Sequence, residues 1–233
     1  MAILAVERLR KSFGGVTAVS GVSFALQERR IYGLIGPNGS GKTTLFNCIT
    51  GLERCDAGRV LFQNQRIDRF RPSAIARRGI GRTFQVIRVF PELTALENLL
   101  VVTRGPRAEA ERRGRELLAF VKLEGLAGEY AGNLSYGQQK LVELVRVLMT
   151  DPTLILLDEP AAGVNRTLLN DLLAAVRRLR DEGRTILLVE HDMNVVMGLC
   201  ETVFVLDHGE MIAEGPPGAI QANERVIEAY FGR

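Results

Sequence analysis

Two short, wholly apolar runs organise the second half of the chain: residues 154–157 (LILL) and 186–189 (ILLV). Each is bounded by polar or turn-forming residues, the pattern of a parallel strand covered on both faces. Between them Leu168, Leu169, Leu172, Leu173, Val176 and Leu179 recur at helical spacing, and Gly183 is placed to close that helix. The three segments predict a βαβ unit. In the first third, ILAVERL, VSFALQ, IYGLIG and RVLFQ read as strands separated by turns. From about Pro91 to Thr150 the period becomes helical, with TALENLLVV, PRAEAERRGRELLAFVKL and a helix after LSYG anchored by Leu141, Leu144, Val145 and Leu148. Beyond the second apolar run, VFVLDHGEMIA reads as a hairpin whose turn accounts for His208, followed by a C-terminal helix. The expectation is an α/β protein with a mainly parallel sheet, an N-terminal antiparallel β part and an inserted helical subdomain. The core would comprise residues 1–90 and 151–233, and the subdomain 91–150.

The most specific chemistry lies in GPNGSGKTT, which runs from Gly36 through Pro37, Asn38, Gly39, Ser40, Gly41, Lys42 and Thr43 to Thr44. It matches GxxxxGK[ST], with a strand before it and, after it, a helix supported by Leu45, Cys48, Ile49 and Leu52. Glycines let successive backbone N–H groups turn inward, and the helix N-terminus adds about half a positive charge. This is a P-loop, a cradle for polyphosphate. Lys42 is expected to bridge β and γ phosphates, Thr43 to hold Mg²⁺ and Thr44 to reach the α phosphate.

LILLDEP places Asp158 and Glu159 at the carboxyl end of a buried strand, the edge where open α/β sheets present ligand groups. Beside a phosphate loop, Asp158 suits Mg²⁺ and Glu159 suits a water that attacks the γ phosphate. His191 follows the other apolar strand and should emerge on the same edge, within reach of that phosphate or water.

Composition narrows the setting. The 233 residues fit one large domain, and 46% hydrophobic with 24% charged residues is ordinary for a folded globular protein. Thirty basic against 27 acidic residues, interspersed, argue against a nucleic-acid binder. Cys48, Cys55 and Cys200 have no metal or disulfide spacing. The N-terminal stretch lacks the apolar core of a signal peptide, and no apolar run approaches the roughly 18 residues a membrane helix needs. Any membrane role is expected to come through a partner.

The phosphate loop, LSYGQ, LILLDEP and a histidine after the last apolar strand, in that order over the whole chain, resemble the nucleotide-binding subunit of ATP-binding cassette (ABC) transporters. The resemblance implies a single ATP-binding domain over 1–233, an ATPase using ATP and Mg²⁺, and a head-to-tail dimer with an identical or related subunit. Each ATP would lie between one subunit's phosphate loop and the signature Leu134, Ser135, Tyr136, Gly137 and Gln138 of the other. Ser135 with Gln138 has the form of a capping box opening that helix. By the same resemblance Phe13 would stack on adenine with Val19 nearby. Gln85 would contact Mg²⁺ and water, joining Thr43 and Asp158 as metal contacts and Lys42, Glu159 and His191 as catalytic groups. Integral membrane permeases, with a groove around Gln85, Arg88 and Phe90 receiving a permease helix, and an extracytoplasmic solute-binding protein complete the implied system, at the cytoplasmic face of the inner membrane. Tyr136 stands where most members have glycine, and Asn165 where most have aspartate.

GLIGPNGSGKTTLFNCITGL, GRTFQVIRVFPELTALENLL and DEPAAGVN are most similar to the ATP-binding subunits of branched-chain amino acid importers. The segment between ENLL and the signature is short for that type, which also suits a sister branch for urea, amides or another polar solute. A non-transport ABC ATPase and a P-loop kinase are the remaining alternatives. The first lacks its usual coiled-coil insertion or second cassette here, and the second has no use for LSYGQ or a water-orienting Glu159.

Overall fold

The structure, a computed structural model, describes residues 2–231. Strands β1 (Ala2–Phe13) and β2 (Val16–Gln27) form a long hairpin closed by Gly14 and Gly15, then β3 (Ile31–Ile35) runs into the phosphate loop and helix α1 (Lys42–Ile49). There follow β4 (Ala57–Phe62), β5 (Gln65–Arg66), the short helix α2 (Pro72–Ala76) and β6 (Ile80–Arg82). The helical stretch contains α3 (Ala95–Leu100), α4 (Arg107–Phe120) and α5 (Tyr136–Leu148). The final third alternates β7 (Leu154–Asp158), α6 (Arg166–Asp181), β8 (Thr185–Val189), α7 (Met193–Leu199) and β9 (Thr202–Asp207). It ends with β10 (Glu210–Gly215), α8 (Pro217–Gln221) and α9 (Glu224–Phe231).

Two sheets result. One is antiparallel, ordered β2-β1-β4-β5; the other is ordered β10-β9-β3-β8-β7-β6 and is parallel except for its β9–β10 edge. The apolar runs alternate between two cores. Ile155, Leu157, Ile186 and Leu188 pack with α5, α6 and the helical stretch, whereas Leu154, Leu156, Leu187 and Val189 pack with α1 and the antiparallel sheet. The six-stranded sheet is therefore the middle layer, and at β7 and β8 neither face meets water, which explains the unbroken apolar runs 154–157 and 186–189.

Some expectations change. The N-terminal strands are longer than the sequence pattern suggests, because register shifts around Val6–Leu9 interrupt their alternation. Leu52 does not extend the apolar face of α1. The helix ends at Ile49, the Thr50 hydroxyl donates to the Phe46 carbonyl, Gly51 turns the chain at φ 72°, and Leu52 is left exposed. Val101 and Val102 likewise fall beyond α3 and are exposed.

Because adjacent positions on β8 face different cores, Leu187→Ala and Leu188→Ala should each lower unfolding free energy by about 2–5 kcal/mol. Urea denaturation of the two variants checks this. A large loss for only one would mean the sheet has a single packed face.

Candidate active site

Four connections leave the carboxyl edge of the parallel strands together: the phosphate loop after β3, residues 83–85 after β6, Glu159 after β7, and Glu190–His191 after β8. The strand order changes direction at β3, which has β8 on one side and β9 on the other, the position where such sheets open a crevice. Glycine is required at two points of the loop. A Cβ on Gly36 would lie 2.0 Å from the Leu206 carbonyl oxygen, and one on Gly41 2.2 Å from that of Ala18, with φ at 151° and 102°. Gly41 caps α1 without a side-chain acceptor, leaving the first amides of the helix to whatever the loop encloses. The Lys42 ammonium donates to the Gly36 and Pro37 carbonyls, both at 2.8 Å, and to Ser40 Oγ at 3.3 Å. Burial pushes its pKa down, opposed by the nearby Glu159 and Asp158 carboxylates.

Asp158 is buried and paired with an equally buried cation, Arg82, at 3.0 Å. The same guanidinium donates to Asn47 Oδ1 (2.8 Å) and Thr50 Oγ1 (3.0 Å) on the phosphate-loop helix. It also lies near the rings of Phe46 and Phe84.

Glu159 follows in a left-handed conformation, φ 49°. Its Oε1 is 2.7 Å from His191 Nε2, and its Oε2 accepts from Gln85 Nε2 at 3.1 Å. Two residues far apart in sequence, Gln85 and His191, thus converge on the Glu159 carboxylate. Held in this orientation, a carboxylate can accept a proton from water. Lys140 donates to the main-chain carbonyl of Glu159.

Other expected residues divide. Phe13 ends β1 with its ring 47% exposed and the Lys11 ammonium 4.9 Å from its centre. Val19 is fully buried and offers no surface to a base; β2 instead lies as a wall behind Gly41 and Gly209. In the LSYGQ segment Ser135 N donates to Gln138 Oε1 and Gln138 N to Ser135 Oγ, a complete capping box, with Ser135 exposed. Leu134 is buried in the core beneath it. Tyr136 leans toward Gly163, and Asn165 caps α6 by accepting from Leu168 N, as an aspartate would.

A family model described as ABC transporter matches residues 19–162. The chain belongs to the ABC transporter family. It is an ATP-binding subunit of that family and an ATPase. A second model, described as branched-chain amino acid ATP-binding cassette transporter, matches residues 210–233 of this cassette. The cassette is 40% identical to the high-affinity branched-chain amino acid transport ATP-binding protein BraF of Pseudomonas aeruginosa, over 99% of this chain and 98% of that protein. It superposes on a nucleotide-free ATP-binding cassette from an ABC transporter with TM-score 0.92 and 36% identity, covering all of both chains. A dimeric bacterial ABC transporter cassette matches with TM-score 0.83 and 29% identity, over 92% of this chain and 98% of that one.

Sequence reasoning missed the groups that hold this edge together. Besides Arg82 and Lys140 they include Glu190, whose carboxylate accepts from Ala161 N (2.7 Å) and His191 N (3.0 Å), and Thr83, whose hydroxyl accepts from Asp158 N at 3.2 Å. A charged residue directly after an apolar run was the available signal for Glu190. Glu143, inside the apolar face of α5, accepts from Arg88 N at 3.3 Å, and burial pushes its pKa from 4.5 up to about 6. The protonated form favours folding, so this contribution is complete below pH 4.5 and is lost as pH rises through 6. Above that, the buried charge costs about 2 kcal/mol. Glu143→Gln should therefore raise the melting temperature at pH 7.5, and the advantage should vanish at pH 4, as followed by circular dichroism.

Proposed function

We propose that this ATPase binds ATP between its own phosphate loop and the LSYGQ helix of a second cassette, and that hydrolysis of that ATP drives uptake of branched-chain amino acids through membrane permeases. The observation that carries the catalytic part is the Glu159 carboxylate held by His191 and Gln85 at the mouth of the phosphate loop.

The backbone N–H groups of residues 38–44 receive the phosphate chain, and Lys42 exchanges its carbonyl partners for β- and γ-phosphate oxygens. The exposed Phe13 ring supplies the platform for adenine. Thr43, Asp158 and Gln85 present a hydroxyl, a carboxylate and an amide, the hard oxygen donors that fit Mg²⁺. When bound, Mg²⁺ supplies neutralisation of phosphate charge. Glu159 orients the attacking water and accepts its proton, while His191 and Gln85 fix the carboxylate and His191 donates toward the γ phosphate. The exposed Ser135 and the first amides of α5 form an anion site for the phosphate held by the partner, which is an identical or related subunit. Closing the pair completes both centres, so ATP acts as the adhesive.

No helix among the described residues is long and apolar enough to cross a membrane. Attachment to the cytoplasmic face is assigned to permease contact around Gln85, Arg88 and Phe90, where Val86 and Phe90 are exposed. Branched-chain amino acids are assigned as solute from the likeness to BraF and the C-terminal model match, and the uptake reading adds a solute-binding protein outside the membrane.

Glu159→Gln should keep ATP affinity, lose turnover by roughly a hundredfold or more, and accumulate as an ATP-bound dimer in size exclusion. Hydrolysis at the wild-type rate removes the assigned role. Ser135→Arg should leave ATP binding by the single subunit intact yet abolish hydrolysis; full activity in that variant would remove the shared site.

A further inference from the structure

We propose that Lys140 is a positioning residue that fastens the main chain of Glu159 to the LSYGQ helix of the same subunit, so that seating this helix on the partner's ATP sets the carboxylate of the subunit's own centre. The inference rests on the shared-site reading above and extends it to how one centre informs the other.

Glu159 occupies a left-handed backbone conformation that a non-glycine residue keeps only when its surroundings impose it. Three hydrogen bonds hold it, one of them within the loop itself, where Ala162 N donates to its carbonyl at 3.3 Å. On one side its N–H donates to the Val189 carbonyl at 3.0 Å, which ties it to the end of β8. On the other, its carbonyl accepts from the Lys140 ammonium. Lys140 is itself buried, and burial pushes its pKa down against the opposing pull of Glu190, Glu143, Glu159 and Asp158. A buried ammonium surrounded by carboxylates nevertheless spends a hydrogen bond on a neutral carbonyl, at the residue whose side chain faces the reaction.

The rest of the first turn of α5 grips the same loop. A Cβ on Gly163 would stand 2.8 Å from a Tyr136 ring carbon, and one on Gly137 would stand 2.9 Å from Leu168 and 3.3 Å from Val164. The Lys140 ammonium lies 5.6 Å from the Tyr136 ring centre, so residues 136 and 140, four apart on one helix face, clasp the loop between them. Ser135, at the tip of this turn, is exposed. A shift or rotation of α5 that seats Ser135 therefore carries the Glu159 carbonyl with it, and the side chain re-aims against His191 and Gln85. The Tyr136 ring acquires a reason here: it supports the loop and the ammonium.

The test compares the full-length wild type with Lys140→Met, Lys140→Gln and Lys140→Arg in ATPase assays across ATP concentration, fluorescent-ATP titration and size exclusion. Lys140→Met should bind ATP with affinity within about twofold of wild type, lose kcat by roughly tenfold to a hundredfold, and change from sigmoidal to hyperbolic ATP dependence. Combined with Glu159→Gln it should still form the ATP-dependent dimer at the same ATP concentration. Lys140→Arg should recover most of kcat and the sigmoidal curve. If the Met variant does not fold, Lys140→Gln, which can still donate to the carbonyl, should fall between wild type and the expected Met loss. Wild-type kcat and cooperativity in the Met or Gln variant would overturn the proposal. So would loss of the dimer in the Glu159→Gln background, which would place Lys140 in dimer contact rather than carboxylate positioning. A wild type that neither hydrolyses ATP nor pairs would instead refute the shared-site reading itself.

Discussion

One buried cation holds the reaction edge in register. Arg82 sits at the end of β6, yet its guanidinium binds Asp158 at the end of β7 and both Asn47 and Thr50 on the phosphate-loop helix. Removing one partner of such a pair leaves an uncompensated charge in the interior, at a cost of about 3–5 kcal/mol. The pair therefore fixes the separation between the phosphate cradle and the strand-end carboxylates. Gln85 follows three residues after Arg82, so the same anchor sets where this amide meets Glu159.

Around that anchor the site is assembled by main chain as much as by side chain. Thr83 supports the Asp158 amide, Glu190 holds Ala161 and His191, and Glu143 reaches from α5 to the backbone after Gln85. Each places a buried polar group against an amide, which satisfies the donor and limits the motion of the loop. The helical stretch is consequently tied to the sheet core by polar contacts at the reaction edge and by a shared apolar cluster behind it.

What the sequence made legible follows local rules. The phosphate loop, the two apolar strands and the Ser135–Gln138 capping box depend on spacing and nearest neighbours, and all three are found at the expected places. Leu52 was misplaced for a tertiary reason: a left-handed Gly51 ends α1 early. Arg82, Lys140 and Glu143 could not be singled out, because a charged residue within an amphipathic stretch carries no mark of the carbonyl, amide or carboxylate that folding brings to it. The convergence of Gln85 and His191 on Glu159 was anticipated only in part, from strand ends and family resemblance, since hydrogen bonding between them depends on how β6, β7 and β8 align.

The closeness of Gly41 to the Ala18 carbonyl has a further meaning for modularity. The curl that faces phosphate is shaped from behind by β2 and by the Gly209 turn, segments lying before and far after it in the chain. Residues 31–50 are thus not a portable cassette within the cassette: transplanted onto another sheet without that backing, the same glycines would have nothing to curl against.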